Sequence, residues 1–163
     1  MSRRKPELVK EEQVTIQELL EIEEIKNLRI MYSHHIDGGD VDSLAELFCE
    51  DAICEFGEAY GGDWVGREAI REHYKRYTAE AIPPYAFMHA VTNPWIRLIG
   101  PESANGRWYL LDLNLFPGSE NPLSLFGIYD DVYRKVDGKW LISKTRIDFL
   151  WPRRDYLGLR DSG

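Results

Sequence analysis

The sequence predicts an α+β fold in which early helices close one face of a curved antiparallel sheet. Three observations predict it: apolar residues at helical spacing through the first half of the chain, a succession of long strands after Tyr85, and an Asp137-Gly138 pair between the last two strands, a strong two-residue hairpin signal. Helices first and an antiparallel meander second give a cone with a pocket, built within one domain or completed by an oligomeric neighbour.

The elements follow in order. Thr15 with Glu18 makes a capping box, and Ile22, Ile25, Leu28, Tyr32 and Ile36 then recur at helical spacing, which predicts a long amphipathic helix. Gly38 and Gly39 stop it by taking left-handed geometry, and Asp40 caps a short second helix with Leu44, Leu47 and Phe48 on its apolar side. DAICEF, residues 51–56, reads as a strand, GGDWVG as a tight turn with room for a second short strand, and REAIREHYKRY as a further helix carrying Ile70, Tyr74 and Tyr77. Pro83 and Pro84 end that region. Four strands come next: YAFMHAVTNPWIRLI, ANGRWYLLDLNLF, LSLFGIYDDVYRKV and KWLISKTRIDFLW. Residues 1–14, polar and without periodicity, read as an N-terminal arm, residues 15–151 as one domain, and residues 152–163 as a C-terminal tail.

Bulk properties narrow the function. With 163 residues, one core buries roughly two thirds of the unfolded chain's surface. A net charge of −8 opposes contact with phosphate backbones, so no nucleic-acid partner is expected. No run is apolar and long enough for a membrane, no secretory pattern stands out, and a cytoplasmic location is expected. Cys49 and Cys54 have no further cysteine with which to build a disulfide framework, and read as buried thiols.

Candidate site residues come from alternation. On the first long strand Phe87, His89, Val91 and Asn93 share a face; on the next, Trp108, Leu110, Asp112, Asn114 and Phe116 do; on the last, Trp140, Ile142, Lys144, Arg146 and Asp148 do. Asp112 interrupts an apolar run, and a buried carboxylate needs a partner. His89 on the neighbouring strand supplies one, and a carboxylate behind an imidazole fixes its tautomer and makes it a better base. The other reading is a structural Asp112–Arg146 ion pair beside a hydrogen-bonded core histidine. In RIMYSHHIDGGD, Tyr32 and Asp37 lie about 140° apart around an ideal helix, so they converge on one cavity only if the helix ends at Asp37. Otherwise Tyr32 is a core aromatic and Asp37 a helix-end cap. His34 and His35 read as surface residues. A metal set of His34 or His35 with Asp37 and His89 has no compact ligand motif behind it, and no metal is expected; nor is a nucleophile, because GxSxG is absent.

The run IKNLRIMYSHHIDGGDVDSLAELF, then MHAVTNPWI, ANGRWYLLDLNLF and DGKWLISKTRID, resembles the SnoaL-like branch of the NTF2-like superfamily over about residues 17–150, within it most of all the bacterial bile acid 7α-dehydratases. The resemblance implies a cone-shaped α+β barrel whose pocket eliminates water without any cofactor. It carries catalytic roles onto Tyr32, Asp37, His89, Asp112 and Arg146. On this footing His89 backed by Asp112 is the base, Tyr32 donates to an enolate or other substrate oxygen, Asp37 positions or protonates the departing hydroxyl, and Arg146 neutralises Asp112 or binds an acidic substrate tail. Phe87, Val91, Trp108, Leu110, Phe116 and Trp140 form the expected pocket for a large, flat, apolar polycyclic substrate, a 3-oxo-4-ene 7-hydroxy bile acid or sterol first. The resemblance also implies a homo-oligomer, a trimer before a dimer. A polyketide cyclase, a ketosteroid isomerase and a noncatalytic dioxygenase β subunit are the alternative functions.

Overall fold

The computed structural model describes residues 14–78, 83–118 and 120–152. Most of the predicted arm (1–13) and tail (153–163) lies outside the described residues. Helix α1 spans Ile16–Gly38, its first turn closed by the Thr15–Glu18 capping box, and it buries Ile25, Leu28, Arg29, Tyr32 and Ser33. Gly39 takes the left-handed conformation (φ 74°) that ends the helix, and Asp40 caps α2 (Val41–Ala45) by accepting the Ser43 N–H at 3.1 Å. Strand β1 (Phe48–Glu55) begins earlier than expected, because Phe48 pairs into the sheet opposite Ile142 instead of completing α2. A 3-10 turn (Glu58–Tyr60), the two-residue β2 (Trp64–Val65) and α3 (Arg67–Thr78) follow. The long strands are β3 (Phe87–Gly100), β4 (Ser103–Asn114), β5 (Leu123–Val136) and β6 (Lys139–Trp151). Asp137 (φ 49°) and Gly138 (φ 79°) make the tight turn between the last two.

The strands form one sheet in the order β2-β1-β6-β5-β4-β3, antiparallel throughout except where β1 runs parallel to β6. The sheet is curved but not closed into a barrel. Its two edges are β2 and β3, and a two-residue strand cannot pair the length of β3. Side chains of Trp108, Leu110, Tyr129, Ile142 and Phe149 on the inner face meet Ile25, Leu28 and Tyr32 of α1 in the core. Full burial of each such side chain contributes about 1.5–3 kcal/mol. Cys49 and Cys54 are buried free thiols.

Bulges decide which residues face inward. In the β5–β6 pairing Val132 opposes Lys144 while Tyr133 opposes Ile142, so Ser143 is an extra residue. One inserted residue reverses the alternation. Trp140 and Ile142 point inward, but beyond the bulge it is Thr145, Ile147 and Phe149 that are buried. A second bulge, at Ser124 opposite Asp112 and Leu113, lets the Ser124 hydroxyl donate to the Asp112 carbonyl at 3.0 Å. Among the described residues, no helix is long and apolar enough to cross a membrane.

Candidate functional site

Past the end of α1 the inner face of the sheet is no longer filled, and a cavity of about 510 Å³ opens there. Its walls come from the C-terminal turn of α1, the loop after β1, one face of α3 and the ends of β3 to β6. Aromatic rings dominate it: Tyr32, Phe56, Tyr60, Trp64, Tyr74, Tyr77, Phe87 and Tyr129 all contribute.

Two polar pairs break this lining. The first joins α1 to β3. Asp37 Oδ1 lies 2.5 Å from His89 Nδ1, and the two carboxylate oxygens accept the His89 backbone N–H at 3.2 and 3.0 Å. The Asp37 carbonyl also accepts the Tyr85 N–H at 2.6 Å, so the helix end is tied to the start of β3 by main chain and side chain together. With Nδ1 protonated toward Asp37, the imidazole lone pair sits on Nε2. The second pair joins α1 to α3: the Tyr32 and Tyr74 hydroxyls are 2.5 Å apart. Whichever phenol donates in that bond, the other keeps a proton for a ligand oxygen. Burial pushes the pKa of Tyr32, Tyr74 and Tyr129 upward, so all three stay neutral donors at ordinary pH.

Of the predicted groups, Tyr32, Asp37, His89 and Asp112 all line this cavity. Their partnerships differ from expectation. Asp112 is the cross-strand neighbour of His89, yet the carboxylate that holds His89 Nδ1 is Asp37. The helix does not stop at Asp37 either. It runs one residue further, to Gly38, and Tyr32 and Asp37 both line the cavity with the helix continuing past them. Arg146 is corrected outright. The Ser143 bulge turns it to the outer face of the sheet, where its Nη2 bonds Asp130 at 3.0 Å and Asp148 at 2.9 Å with the side chain 47% exposed.

Among the six expected substrate contacts, Phe87 alone is in the cavity wall. Val91 packs against the core, Trp108 and Leu110 are buried within it, and the Trp108 indole donates to the Tyr133 hydroxyl at 3.0 Å. The Trp140 indole donates to Glu21 at the other end of α1, and Phe116 lies beyond β4, edge-on to Phe87. The physical reason is common to the buried ones: α1 covers the middle of the sheet, and what it covers becomes core. His34 is exposed, and His35 faces Asp40 with Nδ1 3.5 Å from Oδ2, so neither joins His89. Among the described residues no three His, Cys, Asp or Glu side chains gather as a metal site. Tyr74, Tyr129 and Tyr60 were missed as site residues. Tyr74 carried a usable signal, since its hydroxyl falls on the apolar stripe of α3 and a buried phenol needs a partner.

A model of the SnoaL-like domain matches residues 17–146. Among solved structures the chain is similar to a candidate scytalone dehydratase from Novosphingobium aromaticivorans, with 26% identity, a TM-score of 0.69, and coverage of 80% of this chain and 85% of that one. A protein of unknown function from Mycobacterium tuberculosis shares 26% identity at a TM-score of 0.71, covering 82% of this chain and 73% of that one. An NTF2-like protein with a cystatin-like fold from Novosphingobium aromaticivorans, 19% identical, has a TM-score of 0.69 over 88% of this chain and 92% of its own. The architecture is the NTF2-like, cystatin-like α+β fold.

Proposed function

The chain belongs to the SnoaL-like domain family, and from that premise we propose that it is a cofactor-independent dehydratase that eliminates water from a flat, apolar, hydroxylated carbonyl compound. A 3-oxo-4-ene steroid with a 7-hydroxyl, bile acid or sterol, is the first substrate class. The observation that carries the reading is the opposition of two polar pairs, His89–Asp37 and Tyr32–Tyr74, in the wall of one aromatic cavity. Elimination needs a base for a carbon-bound proton, a donor for the developing enolate oxygen, and help for the departing hydroxide.

In the proposed reaction His89 Nε2 takes a proton from the carbon beside the one bearing the hydroxyl. The electron pair moves through the conjugated system onto the ketone oxygen, where the tyrosine pair donates to it. Return of that pair forms the new double bond and expels the hydroxyl, which leaves as water with the proton returned by the imidazolium. Asp37 stabilises the imidazolium and holds its tautomer, and Asp112 receives the departing hydroxyl. The rings of Phe87, Tyr60 and Tyr129 suit the faces of a fused-ring substrate. The proposal includes a cytoplasmic homo-oligomer, a trimer first, with neither nucleic acid nor membrane as partner; gel filtration with light scattering tests its size.

Incubation with 3-oxo-4-ene steroids carrying a 7α- or 7β-hydroxyl, read by mass spectrometry and ultraviolet absorbance, tests the activity. Loss of one water with extended conjugation, abolished in H89A, supports the reading. A product of unchanged mass with a moved double bond makes the chain an isomerase instead, and an untouched substrate removes the steroid class.

A further inference from the structure

Arg29 carries a charge into the interior. It is 0% exposed, and none of its three guanidinium nitrogens has a hydrogen-bond partner among the described residues. Its one ion pair, Nε to Asp131 Oδ2, is long at 3.6 Å. Asp131 is already engaged, accepting from the Tyr133 hydroxyl at 2.6 Å and the Thr145 hydroxyl at 2.6 Å. The guanidinium lies instead on ring faces, 3.5 Å from the centre of Tyr129 and 4.2 Å from that of Tyr32. Both rings are cavity walls. A leucine here would extend the apolar stripe of α1 without burying a charge, so the charge needs an explanation other than packing.

We propose that Arg29 is a positioning residue whose buried positive charge, acting through the face of Tyr32, makes the Tyr32–Tyr74 pair a strong donor to an anionic substrate oxygen, an enolate or phenolate. This rests on the reading of that pair as the substrate-oxygen site. As a phenol donates to an oxyanion, negative charge builds on the phenol oxygen, and a fixed cation behind the ring stabilises it in a medium that screens weakly. Arginine suits the position because its planar group stacks on aromatic faces without needing every N–H paired. The groups facing the pair are Arg29 on α1, Cys54 on β1 and Tyr129 on β5, while Asp131 and Tyr133 on β5 face Arg29, with Thr145 on β6 behind Asp131. Burial keeps the tyrosines and the Cys54 thiol neutral. The other titratable groups of the cavity wall are Asp112 and the Asp37–His89 pair, which every variant below keeps, and Arg29 is the cation in contact with the Tyr32 ring.

The test uses 4-nitrophenol as the probe, with the absorbance of its bound, ionised form followed against pH in the full-length chain. Wild type holds it as the phenolate below its ordinary ionisation range. R29M lowers the ionisation constant of the bound phenol about tenfold, D131N raises it about threefold by leaving Arg29 unopposed, and R29K returns it to within about threefold of wild type. Loosened packing alone would move R29M and D131N in the same direction. Thermal unfolding checks each variant, and if R29M does not fold, D131N and R29K carry the test. R29M and D131N shifting together, or no shift in any folded variant, overturns the role of Arg29. A wild-type chain that does not bind the phenol overturns the oxygen-site reading beneath it.

Discussion

Asp37→Asn separates the two carboxylates that face His89. Asparagine keeps one oxygen for the His89 backbone N–H, now met at 3.0 and 3.2 Å, but it presents either that oxygen or an NH₂ group to Nδ1 where the native contact is 2.5 Å. An NH₂ group only donates, so it turns the imidazole to the tautomer with its proton on Nε2, where the base is needed. The charge opposite the imidazolium is lost in either orientation. Base catalysis is worth roughly 10²–10⁴ in rate, so kcat should fall by about that factor, about 3–5 kcal/mol of barrier, with KM within about threefold of wild type. Loss of a charge-assisted hydrogen bond should also cost about 1.5–3 kcal/mol of stability. Steady-state absorbance kinetics on the 7-hydroxy enone and urea unfolding measure the two effects. Turnover of D37N within about threefold of wild type, with D112N inactive, would return the orienting role to Asp112 and refute the geometric argument.

Other consequences are independent of that one. R146A should leave turnover unchanged, because the Arg146 guanidinium bonds Asp130 and Asp148 on the outer face; a large kcat loss would mean that the face reversal at Ser143 is wrong. A Cβ on Gly106 would meet the Tyr133 ring at 2.7 Å and Ile96 at 2.8 Å, so G106A should lose about 1–3 kcal/mol in thermal or urea unfolding. Glu21 accepts hydrogen bonds from Lys135, Trp140 and Gln17, and its pKa is pulled down to about 2, first by Lys135 and then by the Trp140 indole. A carboxylate depressed in the folded state stabilises above its unfolded pKa and stops doing so as pH falls through the folded one. Wild type should therefore exceed E21Q by at most about 3 kcal/mol near neutral pH, and the gap should close between about pH 5 and pH 2 in acid-unfolding curves; a gap that persists in acid would show that the ion pair with Lys135 is not its source.

Much of the architecture is legible in local chemistry. The Thr15–Glu18 box, the left-handed Gly39 and the Asp137-Gly138 turn each act over a few residues, so α1 and the β5–β6 hairpin follow from short stretches. Strand faces do not, because one extra residue reverses them. Ser143 has no property that marks it as a bulge, and it misplaces Arg146 while leaving Trp140 and Ile142 inward. Closure into a barrel was also beyond reach, since it depends on pairing between the edges β2 and β3. In the site, His89 and Asp112 stand out as polar groups in apolar company and Tyr32 and Asp37 enter through the family resemblance, but the partner of His89 lies 52 residues away on a helix. Strand register points to Asp112 because it knows only the sheet. Arg29 and Tyr74 passed as ordinary helix residues, because their significance comes from what packs on them.

The central claim is that His89 removes a proton from carbon inside this cavity. Substrate deuterated at the carbon beside the hydroxyl-bearing one tests it most directly, with the isotope content of the product and the rate followed together. The account predicts loss of deuterium from the product and a primary isotope effect on wild-type turnover, with no product from H89A. Product that retains its deuterium, or H89A exchanging and eliminating at the wild-type rate, would contradict it.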